Sequence, residues 1–361
     1  MGNFLRGYQT ARIDLKALGY DRLSFHTYLR GTTDFLKEGP SDPKADVLNG
    51  YLRYAGEKLT FKAGRQQVYE GVGIGTMDGA YVGVHLGDIV HSSIYVGTES
   101  PLNESFEIAS WNDRNMFGVH LESFRISKTD IGLSYVRKER NEDLFEEVVG
   151  ADLRRELGRR LNIYGRLDWD LIQDEPRRIE GVTRVSPSED LHLTGEFIRR
   201  TPRVNLQSIF KNFPLHTNFE AGLSGSYRMS SLLTLNGRYA LVQYDYDKDN
   251  SQRIDFGFNI KDGTIGYTRR MGYGGERDGV YGGYLYTFSD DLCARAHLEI
   301  TTYRLLEEEM ERDDLLTSSV GVQYKPAKNI SFNMEGQGLR NKLYEIDFRV
   351  LFRAEYWVSG M

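Results

Sequence analysis

Between Asn218 and Val242 the chain alternates with a period of two for longer than an ordinary soluble strand needs. Phe219, Ala221, Leu223, Tyr227 and Met229 fall on one side, and Glu220, Ser224, Ser226 and Arg228 on the other. After a Ser230-Ser231 turn, Leu233, Leu235, Tyr239 and Leu241 alternate with Thr234, Asn236, Arg238 and Ala240. Strands of soluble proteins are usually about 5 to 6 residues long, whereas a tilted strand that crosses a bilayer needs about 9 to 11. An apolar face opposite a polar one over that length predicts a transmembrane β-strand with lipid on one side and water on the other.

The same pattern recurs along the chain. Ala11, Ile13 and Leu15 alternate with Arg12, Asp14 and Lys16, and Leu161, Ile163, Leu167, Trp169 and Leu171 with Asn162, Tyr164, Arg166, Asp168 and Asp170. Ile254 to Ile260, Leu292 to Ile300 and Val320 to Met334 repeat it, and Tyr344 to Val358 reads as the longest strand. A chain of 361 residues then predicts an all-β, transmembrane, antiparallel up-and-down β-barrel of about 20 to 22 strands, one domain over residues 1–361. No run of 18 apolar residues exists to make a transmembrane helix, and closed barrels are the other backbone-satisfied way across lipid. A mean hydropathy of −0.50 is compatible with a sheet that is apolar on one face only.

Long and short connections alternate. With the C-terminus on the periplasmic side, Lys37 to Ala45, Arg137 to Glu147, Thr201 to Thr217, Tyr244 to Gln252 and Leu305 to Leu316 all read as outer loops. That assignment starts the first strand outside and gives an odd strand count, so either the count is off by one or a further strand precedes the first. Thr98 to Asn115 reads as a further loop, with Phe106 to Trp111 as a short strand candidate inside it. Met1 to Arg6 lacks the basic-then-apolar pattern of a secretory signal, so either the signal has been removed from this sequence or the export reading fails. Gly71, Gly73 and Gly75 break the alternation between Gly64 and Gly79. No helical pattern follows them, so the segment predicts a bend or an inward-folded loop rather than a dinucleotide site. Gly272 to Gly279 reads as a second glycine-rich loop.

The polar phase supplies the candidate pore-lining residues: Arg65, Lys62, Arg30, Arg166, Asp168, Asp170, Arg238, Arg253, Asp255, Arg295, His297 and Glu299. Mixed signs predict a transverse field or wall ion pairs in place of a one-signed filter. For Arg65 the two readings are a guanidinium that orients anionic solutes at a constriction and a wall residue paired with a carboxylate. Trp169, Tyr227, Tyr239, Tyr324 and Tyr356 fall on the apolar phase, where interfacial rings belong. The acidic run Glu307 to Asp314 reads as a solvated loop, with divalent bridging to lipopolysaccharide as the alternative.

Several function classes drop out. A net charge of −6 with interspersed signs gives no reason to expect nucleic acid. Cys293 stands alone, so no intrachain disulfide and no cysteine-based zinc site can form, and without a C-x-x-C-H the chain attaches no c-type haem itself. His297 beside Glu299 has no companion cluster to make a metal site. There is no Gly-x-Ser-x-Gly for an outer-membrane esterase. No catalytic residue and no cofactor is expected.

The stretch from Leu59 through Gly64-Arg65-Gln66, followed by a glycine-spaced segment to Met77-Asp78-Gly79-Ala80, resembles a hairpin of alginate-export-type and related substrate-selective porins. There a strand ending in Gly-Arg-Gln is followed by a glycine-containing loop and an Asp-Gly that opens the return strand. Many such barrels end in an aromatic residue; this chain ends Trp357-Val358-Ser359-Gly360-Met361. The resemblance implies a Gram-negative outer-membrane porin. Together with the alternation it predicts a water-filled channel for small hydrophilic or charged solutes, narrowed by Gly64 to Gly79 or by Thr201 to Thr217. Outer-membrane lipid and lipopolysaccharide are the expected surroundings, and a homo-oligomer is compatible with the pattern. The main alternative is a barrel sheath around a multihaem c-type cytochrome in a transmembrane electron conduit. A soluble all-β repeat protein is the remaining one, and it would need the apolar phase to face a core.

Overall fold

The computed structural model describes all residues except 1–4, 37–42, 88, 102–105, 127, 203–216, 246–249, 274, 305–310, 343–344 and 359–361. Its strands form a 21-stranded sheet, with no helix among the described residues. The chain divides into two compact units, Met1–Leu157 with Ile163–Glu180, and Gly158–Asn162 with Gly181–Met361.

The first unit holds β1 (Arg6–Lys16), β2 (Leu23–Asp34), β3 (Lys44–Ala55), β4 (Leu59–Glu70) and β5 (Gly73–Leu86). It continues with β6 (Val90–Glu99), β7 (Arg114–Ile126), β8 (Thr129–Arg140) and β9 (Asp143–Leu157). β10 (Leu161–Asp170) and the start of β11 (Glu175–Val185) complete it. From β1 to β9 each strand pairs antiparallel with the next in sequence.

The second unit holds β12 (Leu191–Arg200), β13 (Asn218–Arg228), β14 (Leu233–Tyr244), β15 (Ser251–Ile260) and β16 (Gly263–Met271). β17 (Glu276–Ser289), β18 (Leu292–Arg304), β19 (Asp313–Ala327), β20 (Ile330–Arg340) and β21 (Asp347–Tyr356) follow, again paired consecutively.

The expected phase is realised. Leu223, at the centre of β13, is 61% exposed, and Leu133, Phe256, Ile265, Val280 and Val320 are exposed with it. Leu167 is 42% exposed while its neighbour Asp168 is only 6% exposed. Burying such charges while displaying such side chains is unfavourable in water and favourable in lipid. Tyr227, Tyr239, Tyr324 and Tyr356 are exposed on the apolar phase; Trp169 is half-buried and donates through Nε1 to Asp174 at 3.2 Å.

Several boundaries differ from the sequence reading. Arg137 to Glu147 is no loop: β8 and β9 run through it and turn at Asn141 and Glu142, both at positive φ. Its charges pair along and across strands, Arg137 with Glu139 and Lys138 with Glu146, so the ladder continues. Gly64 to Gly79 is likewise hairpin rather than loop, its strands meeting at Gly71 and Val72. The second glycine-rich loop is shorter than expected, since β17 begins at Glu276. β21 spans 10 residues and pairs with β20 only from Asp347 to Tyr356; β9 and β19, at 15 residues, are the longest strands. Phe106 to Trp111 contains no strand. Most of the Lys37 to Ala45 and Thr201 to Thr217 loops and half of the acidic run lie outside the described residues, and the end of that run is no loop, since Asp313 and Asp314 open β19.

Candidate functional site

The hairpin of β4 and β5 leaves the sheet partway along its length. β3 pairs with β4 only as far as Gly50 opposite Arg65, and β5 with β6 only as far as Met77 opposite Glu99. β4 and β5 pair with each other on to Glu70 opposite Gly73. Residues 66–77 therefore form a tongue that folds over the polar-phase face of the first unit.

A row of glycines makes the crease. Gly64 stands opposite Gly79, and Gly79 opposite Gly97. Gly64 has φ of +123°, a conformation that only glycine adopts readily. A Cβ on Gly79 would lie 2.2 Å from the carbonyl oxygen of Val96 and 2.5 Å from Cα of Gly97. Beside the crease, Arg65 and Asp78 meet in a two-pronged ion pair, Nε to Oδ1 and Nη2 to Oδ2, each at 2.8 Å. Arg65 also donates to the carbonyls of Val47 at 3.2 Å and Glu107 at 2.6 Å, and is only 5% exposed. Gln66 donates through Nε2 to the carbonyl of Gly79 at 3.2 Å.

The tip packs on an apolar patch. Val68, Val72 and Met77 of the tongue meet Tyr95 of β6, Met116 of β7, Val136 of β8 and Val148 of β9 in one buried cluster. Each large side chain removed from water contributes about 1.5 to 3 kcal/mol. Polar ties fix the backbone of the tip. The N–H of Val72 donates to Ser134 Oγ at 3.1 Å, Lys138 Nζ to the carbonyl of Ile74 at 3.0 Å, and Arg166 Nη2 to the carbonyl of Gly71 at 3.1 Å. Glu70 accepts from Tyr81 at 2.9 Å and pairs with His120 Nδ1 at 2.9 Å.

The candidate pore-lining residues separate into buried structural pairs and exposed ladders. In the first unit Arg65 is held as described. Arg166 binds Asp168 at 2.8 Å as well as the tongue, and Arg30 binds the buried Asp46 at 3.0 Å. Lys62 lies 4.5 Å above the centre of the Tyr81 ring. Asp170, almost fully buried, accepts the N–H groups of Ile172 and Gln173 and so shapes the turn after β10. None of these is a bare charge beside open water, because each sits within reach of a partner set by the strand period.

In the second unit the ladder is more open. Arg238 pairs with Glu220 at 3.1 Å and, across the side-chain-free Gly222, with Glu196. Arg253 pairs with Asp255 at 2.8 Å, and Asp255 also accepts from Thr268 at 2.7 Å. Arg295 reaches Glu335 over Gly321, and Arg277 pairs with Glu299. His297 is exposed and lines a hollow with Asp347 and Arg349. No metal-holding group of His, Cys, Asp and Glu occurs among the described residues.

Sequence reading missed the tongue's seat. Tyr95, Met116, Val136 and Val148 all lie on the polar phase, and this lapse in alternation over four successive strands was the available signal.

No protein-family model and no curated protein matches the sequence. Solved structures do. The translocation pore of the P pilus usher PapC aligns over 98% of this chain and 96% of its own, with a TM-score of 0.57 at 8% identity. The siderophore receptor PirA from Pseudomonas aeruginosa aligns over 98% of this chain and 71% of its own, with a TM-score of 0.51 at 11% identity. OccK5 (OpdH) of Pseudomonas aeruginosa aligns over 97% and 95% at 12% identity, with a TM-score of 0.45. At such identities the likeness is one of fold, a many-stranded antiparallel up-and-down β architecture.

Proposed function

We propose that the chain is a single transmembrane β-barrel domain of a Gram-negative outer membrane, acting as a passive channel for small hydrophilic solutes. The observation that carries this reading is the inverted exposure of the strands: apolar side chains such as Leu167, Leu223 and Val280 are displayed, while the alternate face carries paired charge. A lipid-facing exterior and a hydrated interior satisfy both faces at once. The channel works by geometry and field. The tongue takes up room on the inner face of the first unit and acts as a fixed constriction, and the wall pairs order a passing solute without reacting with it. The sheath alternative calls for a clear inner wall, and the seated tongue weighs against it.

Purified protein reconstituted in planar bilayers gives discrete conductance steps on this reading. Bilayers that stay sealed at high protein density would overturn it.

A further inference from the structure

The inner face of the second unit is charged on most strands, but one groove across β12 to β17 is lined mainly by neutral polar groups, with only His192, Arg238 and Asp255 able to carry charge near neutral pH. It has a volume of about 330 Å³, at the small end of the roughly 300 to 1,000 Å³ typical of ligand pockets. Thr194, Ser224, Ser226, Asn236 and Tyr281 line it. Among the described residues none of these five side chains makes a hydrogen bond within the protein. A Cβ on Gly266 would come within 2.4 Å of the Tyr281 ring, so the ring lies flat along β16, and its hydroxyl reaches toward Gly257 on β15.

The charges at the groove are already paired with one another. Arg238 is held by Glu196 and Glu220, and Asp255 by Arg253 and Thr268. The groove thus offers neutral hydroxyl and amide groups and an aromatic face, and the two arginines beside it face three carboxylates, an excess of negative charge that disfavours an anion.

We infer that this groove is a binding subsite for a neutral polyhydroxylated ring, of the mono- or disaccharide class. Ring hydroxyls bond Asn236, Ser224 and Ser226, while the C–H face of the ring rests on Tyr281. The inference deepens the channel reading and rests on it for its biological sense, since it names the class of solute that pauses in the lumen. The binding itself is independent of conduction.

The test uses the full chain in detergent with maltose as probe, titrated calorimetrically, beside glucuronate as a charged comparison. Saturable maltose binding is expected, with glucuronate weaker. Asn236→Ala and Tyr281→Ala, each assayed on the folded, heat-modifiable form, should weaken maltose binding by about tenfold or more. The variants remove different groups from different strands, so either suffices if the other fails to fold. Absence of saturable maltose binding, unchanged binding in a folded variant, or glucuronate binding tighter than maltose would each overturn the subsite. Bilayer conductance without maltose binding would sink the subsite and leave the channel; maltose binding without conductance would do the reverse.

Discussion

Arg65 and Asp78 stand directly opposite one another on β4 and β5 and are joined by two parallel hydrogen bonds of 2.8 Å, with both side chains buried. The pair sits one step beyond the Gly64 and Gly79 crease, where the hairpin stops belonging to the sheet and becomes the tongue. A bidentate guanidinium at that point fixes the angle at which the tongue departs. The Gly-Arg-Gln and Asp-Gly elements therefore have a structural meaning here: two facing hinge glycines and, one rung further on, the clasp.

Removing one partner of a buried pair leaves the other uncompensated, at a cost of about 3 to 5 kcal/mol. Arg65→Met and Asp78→Asn should each lower the urea concentration at which the folded barrel converts to the unfolded form on unheated gels. The double variant Arg65→Met with Asp78→Leu should recover much of the loss. Single variants as stable as the parent would show that the clasp is dispensable.

The crease makes a sharper steric prediction. Gly79→Ala places a methyl group 2.2 Å from a backbone oxygen that has nowhere to go, whereas a Cβ at Gly237 meets nothing within 4 Å. Gly79→Ala should abolish most of the heat-modifiable folded form, and Gly237→Ala should leave it within about 0.5 kcal/mol of the parent. Equal yields of the two would mean that the strands at the crease can separate freely.

If the tongue is the constriction, its removal should widen the path. Replacing residues 68–75 by Asn-Gly leaves Gln67 opposite Thr76 and closes the hairpin with a favoured two-residue turn. Single-channel conductance should rise by a factor of several relative to the parent, with the fold retained. Steps of unchanged size would move the narrowest point away from residues 66–77.

The strands and their outward residues were legible because a lipid-facing side chain must be apolar at every second position, and that rule needs no knowledge of partners. Leu223, Leu235 and Leu167 are placed by it without reference to any other strand. The tongue was only half legible. Gly71, Gly73 and Gly75 announced an irregularity, yet its seat on Tyr95, Met116, Val136 and Val148 depends on residues from four other strands, which no local period encodes. The same limit applies to Arg65: its phase was readable, its burial was not. Arg137 to Glu147 misled for a related reason, since charge density suits a solvated loop and equally a strand pair that carries its own ion pairs.

The outward phase can be tested one residue at a time. Leu223 is the middle residue of β13 and its neighbour Ser224 faces the other way. Arginine on the lipid face near the bilayer midplane costs about 2 to 4 kcal/mol. Leu223→Arg should therefore reduce folding into liposomes markedly, while Ser224→Arg should fold normally. The reverse order would place the apolar face against protein instead of lipid.

Arg238 offers a test of the wall field. Its guanidinium answers two carboxylates, Glu196 and Glu220, so Arg238→Ala removes one positive charge and leaves two negative ones facing each other in the second unit. Two like charges draw counter-ions, and the local potential becomes cation-attracting. In a potassium chloride gradient across a planar bilayer, the reversal potential should shift toward cation selectivity relative to the parent. Arg238→Lys, which keeps the charge but not the fork, should shift it far less. Screening sets a further condition: the Debye length falls from about 10 Å at 0.1 M salt to about 3 Å at 1 M. The shift should therefore be plain in dilute salt and nearly vanish in concentrated salt. A shift that persists undiminished at high salt would have to come from altered pore shape and not from the exposed carboxylates, and no shift at either salt concentration would remove Arg238 from the conducting path.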